Sequence, residues 1–229
     1  NEWINFSQTY YKFKLINKGL YRLPKTVLDA AGIGNAGAQY FELWKNGKRI
    51  PIYTSVSSGV LPSGGYIEFY GEGNDGTADK ALYRNPAYQH TVHSSLITDT
   101  AVYFLSVNTN GAGFYFSNAV NDVASNTLPA EPYFNAKAAS YYKNKINAGF
   151  AAVVGEYVYS ASYDKGEFWS SAAIKPATPL LTTISGLQVY SGGPSATLNY
   201  GIMGDALNSR SAKVSVNGSL LTDTVLEYF

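Results

Sequence analysis

The chain has 229 residues, of which 45% are apolar and only 14% are charged, and its 17 basic side chains nearly balance 16 acidic ones. Apolar content of this size can fill a sizeable core, whereas a net charge of +1 provides no long-range field for nucleic acid, so we expect no nucleic-acid partner. The lack of cysteine excludes disulfides, thiolate metal sites and a cysteine nucleophile from these residues.

The first half of the sequence predicts a β-rich domain over residues 1–118. Residues 8–15 alternate polar and apolar side chains, which is typical of a half-buried strand, and TVLDAAG predicts a short helix that ends at Gly32. Asn46-Gly47 joins two β-rich runs and favours a tight hairpin turn, because both residues tolerate positive φ. The runs GYIEFYGEG and TAVYFLSVN predict two further strands.

The second half predicts a linker and a second β-rich domain. Residues 117–132 have few large side chains, which is typical of a surface crossing, and a linker is predicted over 119–135. The stretch from residue 136 can be helical up to Ile146, although its tyrosines would equally suit a strand. Short alternating runs then predict a β-sandwich-like domain over 136–229, which we expect to be incomplete at its C terminus. The expected fold is therefore mainly β, with two β-rich domains, antiparallel sheets or a sandwich, and one or two short helices.

The stretch GEGNDGTADKALYRNPAYQH, residues 71–90, combines acidic side chains, glycines and a histidine. A calcium loop needs oxygen ligands at alternating positions, and when Gly76 takes the glycine position, Gly71 and Gly73 fall where ligands belong. A structural corner is favoured over an irregular ion site, because Asn and Asp bond readily to nearby backbone. Asp79 is predicted to cap a short helical turn at KALYR.

The remaining polar residues form no recognisable active site. His90 and His93 lack a nearby acidic residue to complete a metal set, so we expect exposed or packing histidines. Glu156 and Glu167 could act as a glycosidase pair only if the fold sets them roughly 5 to 9.5 Å apart. The sequence therefore assigns no catalytic residue, no metal ligand and no cofactor.

Aromatic side chains suggest an alternative function. Tyr157, Tyr159 and Tyr163 share parity around one predicted strand, and exposed aromatic faces can stack on sugar rings. Tyrosines on a sandwich more often pack their rings and expose the hydroxyl. A carbohydrate- or cell-surface-binding β-sandwich module, with a surface glycan as partner, is thus the alternative.

Several stretches together resemble the region ahead of the catalytic domain in gingipain-like cysteine peptidases, which Bacteroidetes secrete; the type IX secretion sortase has a similar leader region. The family pattern is a strand entering GxYR, a helix ending in AG, a strand with an NG turn into IP, and an IEFYG strand before an acidic glycine loop. Residues 11–89 follow this pattern in order. The later stretches VVGEYVYSASYDKGEFW and ATLNYGIMGDALNSR resemble the family's following β-sandwich.

The resemblance implies a non-catalytic prodomain or accessory region of a larger secreted peptidase, docking on or restraining the catalytic domain of the same polypeptide. The family's catalytic His and Cys would lie in a domain expected beyond Phe229. In related prodomains a loop can cover the active-site cleft, so a basic side chain could enter the specificity pocket, with Lys143, Lys145 and Lys165 as candidates.

The resemblance also implies a secreted or cell-surface location after removal of a signal peptide. No apolar run in the sequence approaches the roughly 18 residues that a membrane-spanning helix needs. We therefore expect no membrane span.

Overall fold

The computed structural model describes residues 3–153, 156–204 and 208–226, and the side chains of all of these except 151–153, 156 and 157. The predicted mainly β fold with antiparallel sheets is confirmed: within these residues strands are the main regular structure, and one short α-helix accompanies isolated 3-10 turns. The chain divides into two compact units, which we call unit 1 (residues 1–75 with 97–126) and unit 2 (residues 76–96 with 127–229). The predicted domain limits are continuous ranges, whereas these units interleave along the chain, so those limits stay a prediction.

Unit 1 contains two antiparallel sheets and the helix. Its elements are β1 Tyr10–Leu15, β2 Gly19–Pro24, α1 Lys25–Ala30, a 3-10 turn Ala38–Tyr40, β3 Phe41–Lys45, β4 Lys48–Ile50, β5 Ile52–Thr54, β6 Tyr66–Gly71 and β7 Ala101–Val107. One sheet has the order β1-β7-β3-β4 and the other β2-β6-β5. Both sheets contribute buried side chains to one apolar cluster, which includes Phe41 and Tyr103 from the first and Phe69 from the second.

Local sequence patterns account for several features of unit 1. In β1, Phe13 packs against the core while Lys12 and Lys14 are exposed, which confirms the half-buried strand. The hairpin between β3 and β4 turns at Asn46 and Gly47, with φ of 49° and 73°, as the dipeptide predicts. These choices depend on neighbouring residues alone, and the sequence pattern was sufficient to anticipate them.

Unit 2 is built from three separate two-stranded sheets within its described residues. Its elements are the 3-10 turns Ala78–Ala81 and Pro86–Tyr88, β8 Lys145–Ile146, β9 Gly149–Val153, β10 Glu156–Ser160, β11 Trp169–Ser170, β12 Arg210–Val216 and β13 Ser219–Leu226. The pairs are β8 with β11, β9 with β10, and β12 with β13.

The helical alternative for the stretch ending at Ile146 is wrong. The residues from 136 to 144 form no helix, and Lys145 and Ile146 form β8, which pairs with Trp169 and Ser170. Cross-strand pairing with aromatic and polar partners distant in sequence outweighs a weak local helix preference. Among the described residues, no helix is long and apolar enough to cross a membrane.

Candidate functional site

Buried polar side chains of unit 2 cluster in a corner, which we call the carboxylate corner. It comprises the buried residues Asp79, Tyr83, Ser95, Asp164 and Glu167, together with Arg84, Ser160, Tyr163 and Trp169, which are partly or largely exposed. Asp79 is 5% exposed, and its two carboxylate oxygens accept hydrogen bonds from Ser95 Oγ at 3.0 Å and from the Leu96 N–H at 2.8 Å. The carboxylate thereby ties the start of the 76–96 segment to its end.

The prediction that Asp79 caps a helical turn is wrong, while the prediction of a structural corner is confirmed for this residue. Asp79 lies inside the 3-10 turn Ala78–Ala81, and its carboxylate bonds to residues 95 and 96 instead of the first N–H groups of that turn. A buried carboxylate needs donors, and the closure of the 76–96 loop supplies them.

The second half of the corner is the turn in YDKGEF. Asp164 is 1% exposed; one of its oxygens lies 3.0 Å from Arg84 Nε, and the other accepts the Ser160 hydroxyl. The Asp164 N–H donates to Glu167 Oε2 at 3.1 Å. The turn includes Tyr163 at φ 60° and Gly166 at φ 84°, a left-handed conformation that glycine adopts without strain.

The rings of Tyr83 and Tyr163 pack edge to face in this corner, with their centroids 5.3 Å apart. The Tyr83 hydroxyl donates to the Glu167 carbonyl oxygen at 2.8 Å, and burial raises the pKa of Tyr83 to about 12. The Tyr163 hydroxyl is buried and has no hydrogen-bond partner among the described residues. The Trp169 indole N–H donates to the Ser95 carbonyl oxygen at 3.0 Å. This hydrogen bond ties β11 to the 76–96 segment.

Glu167 is the titratable carboxyl most affected by this environment. Burial raises the pKa of Glu167 above its usual 4.5, the backbone N–H groups of Asp164 and Tyr163 oppose that rise, and the charge of Asp164 adds to it. Each buried carboxylate of the corner nevertheless has protein donors, so the group is suited to holding these segments together.

Glu72 and Asn74 of the 71–90 stretch also bond to other groups of the chain. Glu72, in unit 1, has oxygens 3.1 Å from Lys18 Nζ and 3.9 Å from Lys45 Nζ. Asn74 uses its side-chain amide to donate to the Thr98 carbonyl. Within the described ranges, no group of three or more His, Cys, Asp or Glu side chains is placed to hold a metal ion.

The two histidines pack on aromatic rings, as the sequence predicted. His90 stacks on Phe168 with centroids 4.1 Å apart, and His93 stacks on Tyr141 at 3.5 Å. Desolvation lowers the pKa of His90, although part of its surface remains exposed. The imidazoles thus contribute packing surface.

The predicted carboxylate pair and tyrosine set are only partly described. The side chains of Glu156 and Tyr157 lie outside the described residues, so the Glu156–Glu167 separation stays a prediction. Tyr159 is exposed, whereas Tyr163 turns its ring onto Tyr83 in the corner. The two described tyrosines of this set, Tyr159 and Tyr163, therefore do not share one aromatic platform.

The candidate lysines occupy three different places in unit 2. Lys143 is exposed just before β8, and Lys145 is half-buried within β8. Lys165 is exposed in the YDKGEF turn, with its ammonium 5.5 Å from the centroid of the Phe150 ring. Lys143 and Lys165 are the two that present an exposed cation.

The β12–β13 hairpin of unit 2 has several exposed apolar side chains. It turns at Asn217-Gly218, and no third strand joins it in the described part of the chain. Leu220 is 57% exposed and Val225 60% exposed, and Val216 and Leu221 are also exposed. A two-stranded hairpin is marginally stable alone, so contact with a covering surface would stabilise this one.

Sequence reasoning missed Tyr83, Arg84, Asp164 and Trp169 as parts of a site. The available signal was that they lie in KALYR and YDKGEFW, two stretches that carry the family resemblance. The comparisons with protein-family models, curated proteins and solved structures found no match to this chain.

Proposed function

We propose that this chain is the non-catalytic N-terminal prodomain or accessory region of a larger secreted gingipain-like cysteine peptidase of Bacteroidetes. In this proposal it docks on the catalytic domain of the same polypeptide and restrains it outside the cell or at its surface. The observation that carries the proposal is the carboxylate corner, in which KALYR and YDKGEFW meet through the Arg84–Asp164 ion pair and the Tyr83–Glu167 hydrogen bond.

The contacts in this corner favour a structural role for the residues of KALYR and YDKGEFW, the stretches that carry the resemblance. Asp79 and Asp164 direct their oxygens at hydroxyl, backbone and guanidinium donors of the chain itself. A catalytic carboxylate must instead reach a substrate atom within hydrogen-bond distance. The acidic residues most buried in unit 2 therefore fit an accessory region whose task is to present a surface.

The β12–β13 hairpin supplies a surface suited to docking. Its exposed leucines and valines would lose water on contact with a partner, which is worth about 25 cal/mol per Å² of apolar area. Its outer strand edges also offer backbone groups that a partner strand could pair with. We assign docking to this hairpin and restraint of the active-site cleft to an exposed lysine, Lys143 or Lys165.

The test uses the 229-residue chain and the catalytic domain of its parent polypeptide, produced separately. We expect saturable binding and slower hydrolysis of a peptide substrate when the chain is added. The double variant Leu220→Ser with Val225→Ser should weaken binding at least tenfold, whereas Leu187→Ser, an exposed leucine outside the hairpin, should not.

The lysines are tested in the same assay. Lys143→Ala or Lys165→Ala should reduce inhibition while binding is kept, with Lys137→Ala, an exposed lysine elsewhere in unit 2, as the control. Absence of binding between the two proteins would remove the proposal. Binding without any effect on hydrolysis would limit the function to an accessory domain.

A further inference from the structure

Unit 1 has a polar cleft of about 630 Å³ whose walls come from two chain segments. One wall is the stretch from Asn5 to Tyr11 that leads into β1, and the other is the loop 107–110 that follows β7; Ile33 also lines it. β1 and β7 are neighbours in the four-stranded sheet, with Tyr10 opposite Ser106. The cleft therefore lies where the start of β1 and the end of β7 meet at one end of the sheet.

The lining is neutral and rich in hydrogen-bonding groups. Of the described residues that line the cleft, none is charged, and Tyr11, Ile33 and Val107 are the only ones without an amide or aliphatic hydroxyl. The amide and hydroxyl side chains are Asn5, Ser7, Gln8, Thr9, Asn108, Thr109 and Asn110. Each such group can serve as donor and acceptor.

Internal hydrogen bonds fix the local shape of each wall. Asn5 Oδ1 accepts from the Ser7 N–H at 3.0 Å on one side, and Asn108 Oδ1 accepts from the Asn110 N–H at 3.2 Å on the other. Asn108 Nδ2 also donates to Glu42 Oε1 at 3.3 Å. Asn5 and Asn108 thus brace the loops, which reduces the ordering cost of binding.

Other side chains that line the cleft are available to bind a ligand. The side-chain hydroxyls of Thr9 and Thr109 and the side-chain amide of Asn110 make no hydrogen bond within the described part of the chain. They are exposed, so water satisfies them in the free protein. A ligand that replaces this water must present several donors and acceptors at short spacing.

We propose that this cleft binds a neutral sugar unit of a glycan. A sugar ring carries hydroxyls that both donate and accept, which matches amide and hydroxyl walls on both sides. An apolar ligand would leave these groups unpaired, and an anionic ligand would find no cation in the lining. The cleft volume lies within the range of about 300 to 1,000 Å³ that small-molecule sites occupy. This site is independent of the peptidase-docking surface in unit 2.

The test is affinity electrophoresis of the 229-residue chain in native gels that contain mannan, dextran or xylan, with the polyanion alginate as a charged comparison. We expect retardation by at least one neutral polysaccharide and none by alginate. Thr109→Val and Asn110→Ala should each weaken the apparent affinity about fivefold, the effect of one lost hydrogen bond. Thr9→Val, on the opposite wall, provides a second measure.

Matched controls use exposed residues of unit 1 outside the cleft. Thr26→Val on α1 and Asn121→Ala should migrate as the unsubstituted chain does. Thermal unfolding monitored by circular dichroism verifies that each variant is folded. The proposal is overturned if none of the neutral polysaccharides retards the chain, if alginate retards it equally, or if the three cleft variants are retarded as strongly as the controls.

Discussion

Arg84 and Asp164 form an ion pair in which the guanidinium Nε lies 3.0 Å from a carboxylate oxygen. The arginine side chain is 57% exposed and the aspartate side chain only 1% exposed. Asp164 also accepts the Ser160 hydroxyl, so its charge is compensated from two sides. Within unit 2, this pair connects the 76–96 segment with the YDKGEF turn.

Arg84→Met should lower the free energy of unfolding by about 1 to 3 kcal/mol. Removing one partner of a fully buried ion pair costs more than about 1 to 3 kcal/mol, and removing one partner of an exposed pair costs less. The Arg84–Asp164 pair is intermediate, because only its carboxylate is buried. Urea unfolding measures the change. Lys213→Met removes an exposed cation 3.4 Å from Asp223 and should cost about 0 to 1 kcal/mol. Equal effects of the two substitutions would contradict the view that Asp164 depends on Arg84.

Removal of the Tyr83 hydroxyl should destabilise the protein, whereas removal of the Tyr163 hydroxyl should not. Tyr83→Phe leaves the Glu167 carbonyl without its donor, so we expect a loss of about 1 to 3 kcal/mol in unfolding free energy. Tyr163→Phe removes a buried hydroxyl that has no partner in the described structure, so stability should be unchanged or higher by up to about 1 kcal/mol. Both rings are kept, so each variant is a packing control for the other. Thermal and urea unfolding of the two variants would decide the point, and a destabilised Tyr163→Phe would show that this hydroxyl is bonded after all.

Glu167 should make stability depend on pH. Because burial raises its pKa in the folded protein, the folded state holds this proton more tightly than the unfolded chain does. The stabilising contribution is present below the usual 4.5 and is lost as pH rises through the folded pKa. Glu167→Gln removes this loss, so the stability of the variant relative to the unsubstituted chain should increase between about pH 4 and about pH 7.

The measurement for Glu167 is urea unfolding of both proteins across that range. Glu131→Gln, at an exposed position of the same unit, serves as the comparison and should give a smaller change. A stability difference that stays constant with pH would rule out Glu167 as the titrating group.

Gly73 should not tolerate alanine. A Cβ at this position would lie 2.9 Å from the Asp99 carbonyl oxygen and closer still to that of Ile16, and both are backbone atoms that cannot rotate away. We expect Gly73→Ala to destabilise unit 1 by about 1 to 3 kcal/mol. At Gly19 the nearest atom to an added Cβ is Tyr21 Cε2 at 4.0 Å, so Gly19→Ala should change stability by less than about 0.5 kcal/mol. Comparable melting temperatures for the two variants would contradict the close approach at Gly73.

The local elements of unit 1 were predictable because their causes lie within a few residues. The alternation in β1 places Phe13 inward and Lys14 outward, since side chains of a strand point to opposite faces in turn. Asn46-Gly47 forms a hairpin turn with positive φ, a conformation that these residues adopt at low cost.

The prediction for residues 136–146 failed for the opposite reason. The local preference there was weak, and the pairing of β8 with Trp169 and Ser170 decided its conformation. The role of Asp79 followed the same rule: its residue type suggested a cap, whereas the loop closure that brings Ser95 and Leu96 to its carboxylate gave it other donors.

The sequence by itself determined the mainly β character, the hairpin turns and the exclusion of cysteine chemistry, because composition, alternation and turn preference act over short stretches. Only the tertiary structure decided which polar groups meet: Arg84 with Asp164, Tyr83 with Glu167, and the two walls of the neutral cleft. These contacts join segments distant along the chain, and no local pattern encodes their approach. A buried charge must find its partner wherever the folded backbone places one.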